Sequence, residues 1–133
     1  MDKNIRLYHD KKAVEKISEI PIVDMGIKCF INQWRADQGI FCLIYCKDNE
    51  PVSFALFSTM NYDPLGFHTR PKLINYIYTL DKRKCYASRL IAFAKQNWQF
   101  TAFCSNEESV KLFTKNSCFN YGKMNGSIMI RYP

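Results

Sequence analysis

The stretch LDKRKCYASRLIAFAK, residues 80–95, decides how the rest of this chain is interpreted. Three consecutive cations, Lys82–Lys84, come directly before a segment with apolar residues at helical spacing, which predicts a helix over about residues 83–97. Cations are unfavourable at the start of a helix, where backbone N–H groups already present positive charge, whereas anions are favourable. The arrangement therefore predicts either a solvated turn or a site where backbone N–H groups and cations surround an anion.

Periodicity and turn residues predict the remaining elements along the chain. Strands are expected at residues 4–8, 40–46, 51–60, 73–80 and 98–104, with a final hairpin of residues 119–124 and 126–132 around an Asn125-Gly126 turn. Helices are expected at residues 10–20, 21–38 and 83–97, and from a capping box at Ser105 and Glu108 to near Ser117. This order predicts an α/β (α+β) fold, in which a central mixed sheet of about seven strands is flanked by four helices.

Length and composition favour one folded domain, residues 1–133. The chain is 47% hydrophobic and 15% aromatic, which is typical of a globular protein with a core. It has no apolar run approaching a membrane span, and its first residues lack the apolar segment of a signal peptide. We therefore expect a cytoplasmic protein with no membrane partner. The formal net charge of +7 indicates an acidic partner, such as a phosphorylated cofactor, a nucleic acid or an anionic surface.

The six cysteines are expected to be reduced thiols that pack as small apolar residues. No C-x-x-C pair occurs and the chain has only two histidines, whereas zinc ligands usually come in close pairs. Without a secretory signal, a disulfide framework is not expected either. The sequence therefore predicts no metal site.

Two short blocks of the chain carry a resemblance to a known protein family. The first is the loop Lys82-Arg83-Lys84-Cys85-Tyr86-Ala87, which follows the fourth expected strand, and the second begins at Asn106. Together with the order of the elements, they resemble the GCN5-related N-acetyltransferase (GNAT) family. In the first block that family carries Q/R-x-x-G-x-G/A, so the basic first position and the final Ala match, and Cys85 replaces the Gly. In the second it carries N-x-x-A-x-x-l-Y-e-k-x-G-F, where this chain has Asn106, Ser109, Leu112, Phe113, Lys115, Ser117 and Cys118.

The resemblance implies an acetyl-CoA-dependent N-acetyltransferase, in which a primary amine attacks the acetyl thioester directly in a ternary complex. Acetyl-CoA would be the co-substrate, and no metal is implied. The loop would hold the diphosphate of coenzyme A, and the pantetheine arm would pair with the edge of the fourth strand between splayed neighbours. A backbone N–H near Ile77 would polarise the thioester carbonyl. The residues that the resemblance places at the cofactor are Ile77, Tyr78, Thr79, Lys82, Arg83, Lys84, Cys85, Tyr86, Ala87, Ser88, Asn106 and Phe113.

Several residues depart from the family's pattern. Cys85 replaces a Gly, which permits positive φ and close approach of the backbone to a ligand. Phe113 stands where many relatives have a Tyr that protonates the leaving thiolate, and Phe cannot donate a proton. No carboxylate lies within residues 73–80, where some relatives keep a general base. The remaining candidates for acid and base are Tyr121, Tyr78, Asp63 and His68.

These departures leave two other functions open. A degenerate member of the fold would bind coenzyme A or a protein partner without turnover. A basic module would instead bind nucleic acid, with aromatic residues among the Lys and Arg residues stacking on single strands.

In the acetyltransferase, the acceptor would bind between residues 19–24 and residues 121–125. Because these segments contain few acidic residues, a polyamine acceptor is not favoured. A second copy of the chain, forming a homodimer, is a further partner that we consider.

Overall fold

This computed structural model describes residues 3–20, 39–60, 63, 66, 71–79 and 85–132. The strands are β1 (Ile5–His9), β2 (Phe41–Lys47), β3 (Glu50–Thr59), β4 (Lys72–Thr79), β5 (Phe100–Cys104), β6 (Phe119–Met124) and β7 (Ser127–Tyr132). The helices are α1 (Asp10–Ser18), α2 (Tyr86–Asn97) and α3 (Glu107–Lys115). The predicted order of these elements is confirmed, and the expected helix at residues 21–38 lies outside the described residues.

The seven strands found in the described residues form one mixed sheet in the order β1-β2-β3-β4-β5-β7-β6. Neighbouring strands are antiparallel except for β4 and β5, which run parallel. Parallel neighbours need a crossover connection, and α2 lies between these two strands in the chain. The expected mixed sheet is therefore confirmed, and it is mostly antiparallel.

Two tight hairpins help to set the register of the sheet. Asp48 and Asn49, which join β2 to β3, have positive φ values of 52° and 65°. Asn125 and Gly126, which join β6 to β7, have φ values of 54° and 85°. Two successive residues with positive φ are typical of the type I′ turn, for which Asn, Asp and Gly are favoured. The predicted Asn-Gly turn is confirmed.

Helices cover both faces of the sheet. We call the two sides the α2/α3 face and the α1 face. On the α2/α3 face, α2 buries residues that recur at helical spacing: Tyr86, Ala87, Leu90, Ile91, Phe93 and Ala94. On the α1 face, the buried residues of α1 are Ala13, Val14 and Ile17. β2 lies between the two cores, so six of its seven residues are buried. None of the three described helices is long and apolar enough to cross a membrane.

The start of α3 differs from the expected capping box. The N-cap is Asn106 and not Ser105, since the Oδ1 of Asn106 accepts a hydrogen bond from the Ser109 N–H at 2.8 Å. Asn and Ser are about equally favoured as N-caps, so their adjacent positions in the sequence did not separate them. The expectation that Ser105 caps this helix is therefore wrong by one residue.

The connection between α2 and β5 is also shifted. β5 begins at Phe100, whereas the sequence placed its start at Trp98. The Trp98 N–H still bonds the Ala94 carbonyl of α2 at 2.8 Å, and the indole ring packs 4.9 Å from the ring of Phe41. Trp98 therefore closes the helix and packs on the α2/α3 face before the strand starts.

Candidate active site

One edge of β4 is covered over only part of its length. β5 pairs with the first three residues of β4, Lys72–Ile74. β4 then continues to Thr79, and within the described residues only β3 pairs with that part. The β5 side of Asn75–Thr79, which we call the open edge, thus has no described strand beside it. A ligand that carries amide groups can pair with such an edge as an added strand.

A β-bulge marks the point where β4 and β5 diverge. The register with β3 shifts between Leu56 and Phe57, which leaves Asn75 as the extra residue of β4. The Asn75 side chain donates a hydrogen bond to the Ser58 hydroxyl at 2.9 Å and so is held on the β3 side. Because a bulge bends and twists its strand, it accounts for the departure of β4 from β5 at this residue.

A cleft of about 510 Å³ runs from the open edge to the start of α2. A volume of this size is typical of sites for small molecules. Its walls include eight residues that the sequence places at the cofactor: Ile77, Tyr78, Thr79, Cys85, Tyr86, Ala87, Ser88 and Asn106. They come from the end of β4 and the starts of α2 and α3, which the topology brings together. The expected cations Lys82, Arg83 and Lys84 lie outside the described residues.

Of the segment that forms α3 and its cap, the sequence placed only Asn106 and Phe113 at the cofactor, and it did not assign the other residues of α3 that line the cleft. Further lining residues are Glu108, Ser109, Lys111, Leu112 and Lys115. Most of them are three or four positions apart, so the helical period would have grouped them once Asn106 was placed at the cleft. Lys111 and Lys115 add positive charge beside the cleft, and Glu108 contributes the one carboxylate among its described lining residues.

The first turn of α2 presents backbone N–H groups at the cleft. Its N-cap, Cys85, is exposed, makes no side-chain cap hydrogen bond and lies in the left-handed region with φ 59° and ψ 24°. No acidic residue occupies this turn. The N–H groups and the positive end of the helix dipole therefore favour an anion here. Cys85 keeps the positive φ that Gly supplies in the family, at a cost of about 1–2 kcal/mol for a residue with a Cβ.

A second cavity, of about 230 Å³, lies where β4 and β5 diverge, and we call it the splay cavity. Both strands and the start of α3 line it. Four residues line the cleft and the splay cavity alike: Ile77, Tyr78, Asn106 and Ser109. The two spaces therefore meet at these residues, beside the open edge.

The Phe113 ring packs in the core and also lines the splay cavity. It is 2% exposed, and its ring lies 6.5 Å from the ring of Phe100 on the α2/α3 face. It lines the splay cavity but is not among the residues that line the cleft. Phe113 therefore packs beside the site and brings no hydroxyl to it.

Asp63 is held in a buried ion pair, which argues against its expected role as a general base. Its Oδ1 and Oδ2 accept hydrogen bonds from Nη1 and Nη2 of Arg131 at 2.5 and 2.8 Å. The two side chains are 0% and 3% exposed. Asp63 lines neither the cleft nor the splay cavity. A carboxylate gripped by both arms of a guanidinium serves as a structural anchor between the β3–β4 connection and β7.

The three other candidates for acid and base have different surroundings. Tyr78 lines both cavities, and its ring packs 5.6 Å from the ring of Phe54 on the α1 face. Tyr121 is 50% exposed on β6 and lines neither cavity, which argues against a role as the acid. His68 lies outside the described residues.

The cysteines of the described residues are free thiols in contrasting surroundings. Burial raises the pKa of Cys42 to about 12, and it raises the pKa of Cys104 and of Cys118 to about 11. These thiols are therefore neutral at physiological pH, while Cys85 is exposed beside the cleft. No group of three His, Cys, Asp or Glu side chains that could hold a metal occurs in the part of the chain that the structure describes.

No family profile matches this chain, and no curated protein matches its sequence. Solved structures, in contrast, match almost its whole length. One is a Corynebacterium glutamicum protein described as histone acetyltransferase HPA2 and related acetyltransferase, with a TM-score of 0.66 and 12% identity over 100% of this chain and 97% of that one.

Two further matches are N-acetyltransferases. Campylobacter jejuni PseH in complex with acetyl coenzyme A has a TM-score of 0.58 and 14% identity over 96% of this chain and 97% of that one. The aminoglycoside 6′-N-acetyltransferase AAC(6')-Ih of Acinetobacter baumannii has a TM-score of 0.63 and 12% identity over 91% of this chain and 93% of that one. At these identities the likeness establishes the fold, which is the GNAT fold that the two sequence blocks predicted.

Proposed function

Because the chain has the GNAT fold, we propose that it is an acetyl-CoA-dependent N-acetyltransferase that acts as a single domain over residues 1–133. The acetyl group passes to a primary amine by direct attack in a ternary complex. The observation that carries this proposal is the open edge of β4, which bounds a cleft of about 510 Å³ that leads to the first turn of α2.

The cofactor lies along the cleft with its diphosphate at the start of α2. The N–H groups of Tyr86–Ser88 bind the diphosphate there, and the cations of the preceding loop, Lys82–Lys84, add charge. The two amides of the pantetheine arm pair with the open edge as an added strand would. This brings the thioester to Ile77, where the cleft and the splay cavity meet.

The reaction needs a neutral amine, a polarised carbonyl and a leaving thiolate. The amine enters from the splay cavity, and the Ile77 N–H donates a hydrogen bond to the carbonyl oxygen as the C–N bond forms. The C–S bond then breaks, and coenzyme A leaves as a thiolate, which is tolerable near neutral pH because a thiol has a pKa of about 8.5. The amine passes its proton to water.

Calorimetric titration with acetyl-CoA and with coenzyme A tests the proposal. We expect both to bind the unaltered protein, and the amine-dependent release of free thiol to follow turnover. In Ser88→Asp a carboxylate is placed beside the expected diphosphate, and we expect affinity to fall at least about tenfold. The variant should stay folded, because an acidic residue is favourable in the first turn of a helix and can still accept the hydrogen bond from Asn116.

A matched control distinguishes the effect of a negative charge beside the cleft from the effect of a lower net charge. Gln96→Glu changes the net charge by the same amount on an exposed position in the last turn of α2, away from the cleft. We expect its affinity for coenzyme A to match that of the unaltered protein. Absence of binding to the unaltered protein, or equal losses in both variants, would contradict the proposed site.

A second candidate function is a GNAT-fold protein that binds coenzyme A without turnover. It is favoured by one observation, which is that the buried Phe113 brings no hydroxyl to the splay cavity. Binding of both coenzyme A and acetyl-CoA with no release of thiol from acetyl-CoA, over a panel of small amines and Lys peptides, would select this function over the enzyme.

A further inference from the structure

The place where the two cavities meet also indicates which side chain stabilises the negative charge on the leaving sulfur. Resting on the proposed function, we infer that the Ser109 hydroxyl donates a hydrogen bond to the sulfur of coenzyme A as the C–S bond breaks. Four residues line both spaces, namely Ile77, Tyr78, Asn106 and Ser109. A pantetheine arm that passes from the cleft to the splay cavity must bring its sulfur past them.

Among these four residues, Ser109 has the side chain best suited to the role. Ile77 has an apolar side chain. The Asn106 oxygen accepts the cap bond of α3, which holds this side chain at the end of the helix and makes its amide N–H2 the rival donor. The Tyr78 ring packs against Phe54 on the α1 face, on the other side of the sheet from α3. Ser109 is half-buried in the first turn of α3, and its backbone N–H alone makes the cap bond, so its hydroxyl is not used there.

The surroundings of Ser109 favour a negative charge. It lies in the first turn of a nine-residue helix, where the helix dipole stabilises anions. Phe113 lies four residues later on the same side of α3 and closes the splay cavity with an apolar ring. A hydrogen bond to a charged group is stronger in such partly desolvated surroundings than in water.

The chemical step balances without any further reactant. The amine nitrogen forms the C–N bond, the C–S bond breaks, and its electron pair leaves on sulfur. The amine proton goes to water. A serine hydroxyl is too weak an acid to transfer its proton to a thiolate, so Ser109 keeps its proton and stabilises the thiolate through the hydrogen bond alone.

The test compares coenzyme A with desulfo-coenzyme A, which lacks the sulfur, at a pH above the pKa of the coenzyme A thiol, where the sulfur is mostly ionised. Ser109→Ala keeps the α3 cap, since the bond uses the backbone N–H. We expect this variant to lose about tenfold in affinity for coenzyme A and nothing for desulfo-coenzyme A. Ser109→Thr, which restores a hydroxyl, should recover the preference. Thr114→Ala is the matched control and should leave the preference unchanged, because it removes an exposed hydroxyl from the same helix and Thr114 lines neither cavity.

The outcomes separate this inference from the proposed function. If the unaltered protein binds both compounds and Ser109→Ala prefers coenzyme A as strongly as before, the role of Ser109 is wrong and the cofactor site stands. The same holds if Tyr78→Phe or Asn106→Ala, and not Ser109→Ala, removes the preference. If the unaltered protein binds neither compound, the proposed function and the role of Ser109 are both overturned.

Discussion

The two halves of β4 belong to one strand but lie in different surroundings. Lys72–Ile74 pair with β3 on one side and β5 on the other, whereas Asn75–Thr79 have a described strand only on the β3 side. In a strand with neighbours on both sides, the backbone N–H and C=O groups bond within the sheet, whereas the groups along a strand edge can bond with a ligand. The first half therefore builds the fold, and the second half is where we place the cofactor.

A buried ion pair supports the paired half. Leu73 of β4 lies opposite Thr101 of β5, which in turn lies opposite Arg131 of β7. Arg131 grips Asp63, which follows β3 in the chain. The cross-strand pairs that join β4, β5 and β7 are thus linked through Arg131 to the connection between β3 and β4.

Arg131→Met should give the largest loss of stability. It takes two hydrogen bonds from a buried carboxylate, and breaking a buried pair costs about 3–5 kcal/mol. Urea unfolding of the variant measures this cost. The double variant Arg131→Met with Asp63→Leu removes both charges and should recover much of it. A loss below about 1 kcal/mol in the single variant would show that the pair does not anchor the paired half.

The rate of thiol alkylation should be about 100-fold or more higher for Cys85, beside the cleft, than for the buried cysteines of the core. Burial raises the pKa of Cys104 and of Cys118 from 9.0 to about 11, which lowers their thiolate fraction at neutral pH about 100-fold, and limited access slows them further. Cys85 is exposed beside the cleft and should react before the buried thiols of the described residues.

Mass mapping after brief iodoacetamide treatment at pH 8 identifies the modified residue. Saturating acetyl-CoA, which has no free thiol to consume the reagent, should slow the reaction of Cys85 and leave Cys104 unchanged. In Cys85→Ser the fast phase should be lost. Equal rates at Cys85 and Cys104 would contradict the contrast between the two sites.

Phe113→Tyr should raise the rate of acetyl transfer by about 100-fold, because a positioned proton donor contributes about 100-fold or more in typical enzymes. The ring lines the splay cavity, so the new hydroxyl can reach water or the leaving sulfur with little loss of stability. Steady-state rates and melting curves on both proteins check this expectation. Destabilisation by roughly 1–3 kcal/mol with no gain in rate would show that the ring edge faces the core and not the cavity.

Cys85→Gly should give the smallest effect, a stabilisation of about 1 kcal/mol. Gly adopts the φ of 59° without strain, although it loses more backbone entropy on folding. Cys85→Ala is the control, because it removes the thiol and keeps the Cβ that causes the strain. Equal stabilisation by Ala and Gly, measured by thermal unfolding, would show that the backbone conformation is not the cause.

The sequence predicted those features that depend on local patterns. Apolar periodicity located α1 and α2, the capping pattern located α3, and the Asn-Gly pair located the last turn. Of the twelve residues that the GNAT resemblance places at the cofactor, eight line one cleft. The cap of α3 was placed one residue early, because Ser105 and Asn106 are both good N-caps.

Features that depend on contacts distant in the sequence could not be predicted. Asp63 looked like a candidate base because its partner Arg131 is 68 residues away. Phe113 was assigned from its motif position, which does not reveal how deeply the ring is buried. The role that we infer for Ser109 depends on where two cavities meet, and no local pattern marks such a place.

Backbone amide NMR shifts during titration with acetyl-CoA test the central claim most directly, because they report on each half of β4 separately. We predict large shifts for the amides of Ile77–Thr79 and Tyr86–Ser88, and shifts near zero for Lys72–Ile74. Saturation with no change along Ile77–Thr79, or changes confined to β6 and β7, would contradict the assignment of the open edge as the cofactor site.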